Sequence, residues 1–464
     1  MLFVANHLSS ETFGENAKAA LADTQLRGAL RHATSLFGKR RLEAARSLSN
    51  WEDLRTEARA IKDEVLLHLD RYLETFTANA ETRGAVVHWA RDAAEANDII
   101  TGLARERNAR TIVKSKSMTT EETHLNDALE AAGMQVVETD LGEYIIQLAH
   151  ETPSHIIAPA IHKTKGQIAE LFTSTLGMPP TDDVAQLTRT ARATLRDRFA
   201  AADVGISGVN FGIAETGTIV IVENEGNIRL TTSVPRVHIA VMGIEKVVPR
   251  FADLDVFLKL LPRSGTGQRL TTYQSFITGT KRNASDEGPE ELHIVILDNG
   301  RSRMLAHPVT RQSLACIRCG ACLNACPVYQ QVGGHAYGSV YPGPIGSVIT
   351  PQLIGIEKTA QLPYASSLCG ACREVCPVKI DIPRLLLHLR AEIAASPKGN
   401  AMERIAFKMW ARVMMSPLLY KLGSLAGRMM QRVMPLSRAW TSGRDLRPIE
   451  RQSFRDLWKT KYGQ

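Results

Sequence analysis

The sequence has no apolar run long enough to cross a lipid bilayer, which requires roughly 18 to 20 residues. The richest apolar stretches, such as GTIVIV at 217–222, have the length of a β-strand. The first residues, MLFVANHLSSETFGENAK, have neither a basic start nor a sustained apolar segment, so no secretory signal is expected. These absences predict a cytoplasmic protein that does not span a membrane.

The composition also excludes a disordered or fibrous protein. The chain of 464 residues contains only 20 prolines, and 44% of its residues are hydrophobic against 22% charged, as in globular proteins. At roughly 150 residues per domain, a chain of this length forms about three domains.

All of the net positive charge lies at the C-terminal end. The formal charge of the chain is +8, and residues 401–464 alone contain 13 Lys and Arg against 4 Asp and Glu. This region is amphipathic at roughly helical spacing. Its apolar positions are Ile405, Met409, Val413, Leu418, Leu422, Leu425 and Met429, and Arg404, Lys408, Arg412 and Arg428 fall between them. We expect a helix that packs on its own domain, binds a partner subunit or lies peripherally on the inner face of the membrane. No DNA-binding motif accompanies the charge, so no nucleic-acid partner is expected.

Cysteine is absent from the first 315 residues and from the last 88. In a cytoplasmic protein, seven cysteines confined to so short a segment favour metal binding over disulfides. The first group, CIRCGACLNACP, has the C-x2-C-x2-C-x3-C-P spacing of bacterial 4Fe-4S proteins. Its cysteines are Cys316, Cys319, Cys322 and Cys326. Zinc sites usually combine two separated pairs of ligands, so iron-sulfur clusters fit this run better than zinc does.

The second group, SSLCGACREVCP, matches the first at three of its four cysteine positions. It supplies Cys369, Cys372 and Cys376, and Ser366 stands at the position of the first cysteine. In two-cluster ferredoxins, the last cysteine of each run binds the cluster of the other run. This crossing assigns Cys316, Cys319, Cys322 and Cys376 to the first cluster, and Cys326, Cys369 and Cys372 to the second.

The second cluster is thus expected to have only three cysteine ligands. Its fourth iron is held by another residue, left open to solvent, or absent as in a 3Fe-4S centre, and the sequence leaves these alternatives open. Ser366 and His335 are candidate ligands, although an ordinary loop residue is the favoured interpretation of each. Because such clusters exchange single electrons, the module is predicted to conduct electrons over a short distance.

The residues before the cysteines have α/β character. Residues 14–80 show helical periodicity, and strand-like segments then alternate with helices. The expected strands are AVVHWA, TIVKS, QVVETD, HIIAPA, TGTIVIVEN, HIAVMG and LHIVILD, and a helix is expected from about Thr120 to Ala132. Several of these strands are continuous apolar runs, which suit a sheet covered on both faces. Residues 333–351 show no helical or strand period, so we expect a loop that covers the clusters.

Some loops of this part are candidate anion sites. Lys114 and Lys116 precede an expected helix start, where free amide groups favour negative charge, although a simple capping sequence fits as well. Glycine-rich residues 202–227 include the carboxylates Glu215, Glu223 and Glu225. LPRSGTGQ resembles a phosphate loop only loosely, and no dinucleotide fingerprint is present, so nucleotide binding is not supported.

Five segments together resemble the lactate utilization protein B family. They are VKSKSMTTEETHLNDALEAAG, DLGEYIIQLAHETPSHIIAPAIHKTK, GISGVNFGIAETGTIVIVENEGN, CIRCGACLNACPVYQQVGGHAYGSVYPGPIGSV and LCGACREVCPVKIDIP. The resemblance implies a lactate-utilisation (LUD) domain similar to the NagB/RpiA/CoA-transferase fold, followed by an α-helical, ferredoxin-like dicluster domain. It implies two 4Fe-4S clusters on the seven cysteines and electron transport as L-lactate is oxidised to pyruvate. It also implies two partners, a second iron-sulfur subunit and a cluster-free LUD-domain subunit.

Four regions are therefore expected. Residues 1–80 are helical, 81–300 form the α/β LUD domain, 301–395 form the 4Fe-4S dicluster domain, and 396–464 form the basic amphipathic region. The leading interpretation is an electron-transfer subunit. The alternative is an enzyme whose α/β domain acts on substrate, with Glu215 or Glu223 as base or nucleophile and Lys114 or Lys116 binding a carboxylate.

Overall fold

The computed structural model describes residues 9–283, 285–396, 401–431, 449–450 and 452–463. The chain divides into two compact units, Met1–Ala391 and Glu392–Gln464, which are considered separately.

The first unit begins with a helical layer. A short 3-10 helix, Ser10–Thr12, precedes α1 (Phe13–Ala22), α2 (Thr24–Arg46), α3 (Trp51–Leu67) and α4 (Leu69–Thr82). The side chain of Asp23 accepts a hydrogen bond from the Leu26 amide and so caps the start of α2. The helical periodicity of residues 14–80 is confirmed.

Strands and helices alternate over residues 85–306. The strands are β1 (Ala85–Ala90), β2 (Thr111–Lys114), β3 (Gln135–Glu138), β4 (Val204–Gly208), β5 (Phe211–Ile213), β6 (Thr218–Glu223), β7 (Val237–Gly243), β8 (Val247–Val248), β9 (Tyr273–Ile277) and β10 (Glu291–Leu297). The helices are α5 (Ala93–Glu106), α6 (Met118–Glu122), α7 (Leu125–Ala131), α8 (Leu141–Leu148), α9 (Lys165–Leu176), α10 (Val184–Ala200), α11 (Asn227–Ser233), α12 (Leu254–Gly265) and α13 (Arg301–Ala306), and a 3-10 turn spans Ile244–Lys246.

Six strands form a parallel sheet in the order β1-β10-β7-β4-β2-β3. All seven residues of β7 are buried, and they alternate between two cores. Ile239 and Val241 pack into the core on one face, and Ala240 and Met242 pack into the core on the other. This double burial explains the continuous apolar runs of the sequence and confirms a parallel α/β sheet covered on both faces.

A second sheet has the order β8-β5-β6-β9 and contains antiparallel pairs. Gly217 lies in the turn between β5 and β6 at φ +68°, and a Cβ at this position would lie 2.2 Å from the backbone nitrogen of Ala80 in α4. The turn therefore requires glycine for its conformation and for its close contact with the helical layer.

Two expectations about this part are wrong. HIIAPA, residues 155–160, is a loop because its amides are satisfied locally: His155 Nδ1 accepts hydrogen bonds from the amides of Ile157 (3.0 Å) and Ala158 (3.1 Å). The helix expected from Thr120 to Ala132 is two helices, α6 and α7, because His124 between them is left-handed at φ +53°.

The cysteine segment consists of short helices and loops. These are a 3-10 helix (Thr310–Ala315), α14 (Ala321–Ala325), α15 (Tyr329–Val332), a 3-10 helix (His335–Tyr337), α16 (Gly343–Ile354), α17 (Ile356–Thr359), a 3-10 helix (Leu362–Tyr364), α18 (Ala371–Glu374) and α19 (Ile382–Ala395). The loop expected over residues 333–351 is wrong in part, because α16 occupies its second half. Residues 343–351 are all buried, so this helix has no polar face to give it a period.

The second unit contains α20 (Ala401–Met415), α21 (Pro417–Gln431) and α22 (Phe454–Tyr462). None of the described residues of these three helices is buried. Large apolar side chains stay exposed beside the basic ones, including Met409 at 63%, Leu418 at 68% and Met429 at 68%.

Candidate iron-sulfur centres and the adjoining cavity

The two cysteine groups fold into loops of the same shape. In the first loop, Arg318 and Gly320 flank Cys319 in the left-handed region, at φ +59° and +71°. In the second loop, Leu368 and Gly370 flank the cysteine at φ +55° and +87°. A short helix follows each glycine, α14 in the first loop and α18 in the second. The shared C-G-A-C sequence thus gives one turn that directs successive thiols toward the same side.

Four thiols from both ends of the segment line one small cavity. They are Cys316, Cys319, Cys322 and Cys376. Apolar side chains, among them Ile317, Ile345, Val378 and Ile380, complete the cavity wall. The last cysteine of the second group therefore lies with the first three cysteines of the first group, rather than with its sequence neighbours.

The other three thiols also influence one another. The pKa of Cys326 is raised by burial and then by Cys369, and the pKa of Cys372 is raised to about 12 by burial and then by Cys326. Cys372 also acts on Cys322, so the two sets of thiols lie near each other. Cys369 is exposed, whereas Cys326 and Cys372 are buried.

The donor set fits iron-sulfur clusters. All seven cysteines are free thiols. Backbone amides point at the sulfur atoms, since Arg318 N–H donates to Cys316 Sγ (3.4 Å) and Ile380 N–H donates to Cys376 Sγ (3.3 Å). Such amides tune cluster potentials. Burial raises the pKa of Cys376 to about 11, so the thiolate form there depends on a bound cation to compensate its charge.

Ser366 has the same place in the second cysteine loop that Cys316 has in the first. Its Oγ accepts a hydrogen bond from the Leu368 amide (3.1 Å), as Cys316 Sγ accepts one from the Arg318 amide in the first loop. The other candidate ligand, His335, is engaged elsewhere: its Nε2 bonds the Thr152 carbonyl at 2.6 Å, and its ring packs on His162.

Side chains from the helical layer bind the backbone of the second cysteine loop. Arg55 on α3 donates to the Cys376 carbonyl from Nε (3.1 Å) and Nη2 (2.8 Å), and to the Glu374 carbonyl from Nη2 (3.0 Å). Arg41 on α2 donates to the Val375 carbonyl at 3.1 Å. These contacts place two cations beside the buried thiol of Cys376.

The α/β domain packs on the first cysteine loop. His155 is buried, and its Nε2 bonds Asn324 Oδ1 at 3.2 Å. Burial first, and Lys116 second, lower the pKa of His155 to about 3, so the ring is neutral at pH 7. The segment that the sequence predicted as a strand thus positions the first cysteine loop instead.

A larger cavity of about 380 Å³ adjoins the first cysteine loop. Arg318 of that loop lines it, together with Lys116 and Lys246 of the α/β domain. Asp140, Glu223 and Glu225 also line it. Burial and then Asp140 raise the pKa of Glu225 to about 7, and burial lowers the pKa of Lys246 to about 8.

The cavity includes only some of the residues that the sequence singled out. Lys114 is fully buried on β2, where its Nζ pairs with Glu138 (2.7 Å) and Glu121 (3.0 Å). Lys114 is therefore part of a buried structural ion pair and is not a solvated lysine. Glu215 is exposed and accepts a hydrogen bond from the Phe251 amide at 2.9 Å. Neither Lys114 nor Glu215 lines the cavity.

A buried ion-pair network joins the α/β domain to the first cysteine loop. Arg301 binds Glu122 through Nη1 and Nη2, both at 2.8 Å, and Glu245 through Nε at 2.8 Å. Glu245 in turn pairs with Arg318 Nη2 at 3.5 Å. Burial alone would raise the pKa of Glu245, but Arg301 and then Arg318 hold it at about 2.

Sequence reasoning missed several of these residues. Arg55, His155, Lys246 and Arg301 belong to no motif, and only the fold brings them near the first cysteine loop or the thiols. The one available signal was the position of Arg318 within the first C-x2-C.

Family models match three consecutive parts of the chain. They are the LUD domain at residues 73–297, the 4Fe-4S dicluster domain at 312–380, and the C-terminal region of lactate utilisation protein B at 393–462. The protein named lactate utilization protein B of Bacillus velezensis is 44% identical over 99% of this chain and 98% of its own length. Proteins of the same name from Anoxybacillus flavithermus and Macrococcus caseolyticus are 44% and 42% identical, each over at least 98% of both chains.

The chain belongs to the lactate utilization protein B family. This confirms the resemblance seen in the sequence, an iron-sulfur protein with a LUD domain followed by a 4Fe-4S dicluster domain. Among the described residues of this family member, no helix combines the length and apolar character that a membrane crossing needs. A crystal structure of a DUF162 family protein from Deinococcus radiodurans aligns with 49% of the chain and 98% of its own length, at 14% identity and a TM-score of 0.29, which is too low for any comparison of detail.

Proposed function

We propose that this protein is a cytoplasmic electron-transfer subunit in the oxidation of L-lactate to pyruvate. Its membership of the lactate utilization protein B family and its 4Fe-4S dicluster domain support this role. When bound, iron-sulfur clusters accept and donate single electrons. The observation on which the proposal chiefly rests is the convergence of four thiols from both cysteine groups on one buried cavity.

The proposed ligand sets follow the grouping of the thiols. One 4Fe-4S cluster would be held by Cys316, Cys319, Cys322 and Cys376, and the other by Cys326, Cys369 and Cys372. In the second set, the position of Ser366 supports a fourth site that has no thiolate. Three forms of the second cluster are compatible with this site: a fourth iron bound by a hydroxyl group, a fourth iron open to solvent, and a 3Fe-4S centre without that iron.

The test uses protein purified without oxygen. It should contain seven or eight iron atoms and comparable acid-labile sulfide per chain, as two clusters require. Cys316→Ser and Cys376→Ser should change the same electron paramagnetic resonance signal. Cys326→Ser and Cys369→Ser should both change the other signal. If Cys316→Ser and Cys326→Ser change one signal and Cys369→Ser and Cys376→Ser change the other, the crossed assignment is wrong. Colourless protein with stoichiometric zinc would overturn the proposed function.

Ser366 offers a separate test of the second set. Ser366→Cys should supply a fourth thiolate and convert a three-iron or open site into a complete four-iron site, because the Oγ already lies where the first loop places its thiol. Ser366→Ala is the matched control, since it removes the hydroxyl and adds no ligand. An identical spectrum for both variants would contradict the placement.

The remaining parts of the chain have proposed roles as well. Residues 1–80 would support the clusters, residues 81–300 would form a domain of the NagB/RpiA/CoA-transferase type, and residues 301–395 would form a ferredoxin-like domain. The parallel sheet and the two matching cysteine loops support these assignments. The proposed partners are a second iron-sulfur subunit and a cluster-free LUD-domain subunit, which co-purification without oxygen would detect.

The basic region, residues 396–464, is proposed to contact the inner face of the membrane. Exposed apolar side chains on α20 and α21, such as Met402 at 78% and Leu418 at 68%, alternate with basic ones. This combination suits adsorption to anionic lipid. The protein should sediment with vesicles that contain phosphatidylserine and stay in solution with vesicles of phosphatidylcholine. Equal behaviour with both would favour a protein partner.

A further inference from the structure

The cavity beside the first cysteine loop lies where open α/β sheets bind ligands. Lys116 follows β2, Asp140 follows β3, Gly208 ends β4 and Lys246 follows β7, and all four residues line the cavity. These strands are parallel, so the cavity is at their common carboxyl edge. Crevices at this edge are the usual ligand sites of such sheets.

Three cations of the cavity have hydrogen-bond donors that no described residue accepts, although Arg318 Nη2 pairs with Glu245. The side chain of Arg318 is only 10% exposed, and its Nη1 is buried with no hydrogen-bond partner among the described residues. Within the same part of the chain, no hydrogen bond or ion pair is made by the Nζ of Lys116 or Lys246. A buried guanidinium nitrogen without an acceptor is costly unless a ligand supplies one.

The carboxylates of the cavity are already engaged by backbone amides. Both oxygens of Glu223 accept hydrogen bonds from the start of α11, at 2.7 and 3.0 Å. Glu225 accepts one from Leu141 at 3.0 Å, and Asp140 caps α8 through the Glu143 amide at 3.1 Å. Backbone amides thus engage these carboxylate oxygens, whereas Arg318 Nη1 and the two lysine Nζ atoms keep donors for a ligand.

We propose that this cavity binds a compact carboxylate anion, held by Arg318, Lys116 and Lys246. The planar guanidinium suits a carboxylate, and the two ammonium groups complete its charge. Apolar side chains of Ile156, Ile157 and Leu261 line the rest of the cavity and suit a short carbon skeleton. The proposal goes beyond electron transfer, because it gives the α/β domain a ligand that contacts the first cysteine loop.

The test is calorimetric titration of the iron-loaded protein without oxygen. L-lactate and pyruvate are the two carboxylate probes, lactamide is the neutral probe, and inorganic phosphate is the competing anion. We expect at least one carboxylate to bind. Lys116→Met and Lys246→Met should each weaken its binding about tenfold or more, since each removes a charge-assisted contact. Lys165→Met is the control, because Lys165 is exposed and lies outside the cavity.

Three results would overturn the site. They are no binding of either carboxylate, binding of lactamide as tight as that of lactate, and equal affinities in all three lysine variants. Phosphate binding tighter than both carboxylates would overturn the ligand class. Iron content and electron paramagnetic resonance signals, measured on the same samples, distinguish failure of the carboxylate site from failure of the electron-transfer proposal. Intact signals with no carboxylate binding refute the cavity alone, whereas loss of iron from the unaltered protein refutes the electron-transfer function.

Discussion

Replacement of Arg301 by methionine gives the sharpest test of how the α/β domain supports the cysteine loops. Arg301 is 1% exposed and makes three charge-assisted hydrogen bonds, two to Glu122 and one to Glu245. The substitution keeps the volume but leaves two buried carboxylates without their main counter-ion. Breaking a buried pair in this way typically costs about 3–5 kcal/mol. We expect Arg301→Met to lower the free energy of unfolding by this amount.

The assay is urea unfolding of oxygen-protected protein, followed by circular dichroism. Arg303→Met is the matched control, since Arg303 is exposed on the same helix, and its effect should stay within about 0.5 kcal/mol. A double variant, Arg301→Met with Glu122→Gln, should recover part of the loss, because one stranded charge is gone. Equal stabilities of the Arg301 and Arg303 variants would refute the network.

The same network predicts a dependence on pH. In the unaltered protein, Arg301 and Arg318 hold the pKa of Glu245 at about 2, below its ordinary value of 4.5. Its contribution to stability is therefore complete above pH 4.5 and is lost only as the pH falls from there toward 2. In Arg301→Met, Glu122 and Glu245 stay buried but lose Arg301 as a counter-ion, so their pKa values rise. Protonation then removes the buried negative charge that destabilises the variant. The loss of stability should therefore shrink as the pH falls toward 4.5, and a loss that does not change with pH would contradict this reasoning.

Two further predictions concern the contacts around the cysteine loops. Arg55→Met removes three hydrogen bonds to the carbonyls of Cys376 and Glu374, and should destabilise the protein by about 2 kcal/mol and speed iron release to a chelator. Arg59→Met, which removes only a pair with exposed Asp63, should do neither. Gly334→Ala should cost about 1–3 kcal/mol in urea unfolding, because the new Cβ would lie 1.8 Å from the Ser154 carbonyl oxygen. Gly28→Ala in α2 meets no atom within 4 Å and should be neutral or slightly stabilising, and the reverse order of the two glycine variants would disprove the close packing.

Local patterns in the sequence predicted the elements whose interactions are also local. The apolar run HIAVMG corresponds to β7, because a strand buried on both faces needs such residues at every position. AVVHWA corresponds to β1, an edge strand on which Val86 and Trp89 stay exposed. HIIAPA has the same composition and is a loop, since His155 satisfies its amides in place of a neighbouring strand. Composition alone does not distinguish these cases, because the difference lies in the hydrogen-bond partners.

The candidate site shows the same limit. Cysteine spacing predicted the thiols as cluster ligands, since four ligands of one cluster must lie within a few residues or return to the same place. The spacing did not identify Arg55, which reaches Cys376 across 321 positions of the chain, or Arg301, which pairs with Glu122 across 179. Long-range contacts of this kind leave no periodic signal in a single sequence.

Arg318 shows why these long-range contacts matter for function. It lies between two cysteines that line the small thiol cavity, its Nη2 pairs with Glu245 of the buried network, and it also lines the larger cavity. An Arg318 substitution would therefore change the loop, the network and the cavity together, and its effect would not distinguish them. Lys116 and Lys246 line the larger cavity without belonging to the cysteine segment. Lys116→Met therefore tests ligand binding without removing a member of the buried network. Arg301→Met tests that network without removing a residue of the cavity.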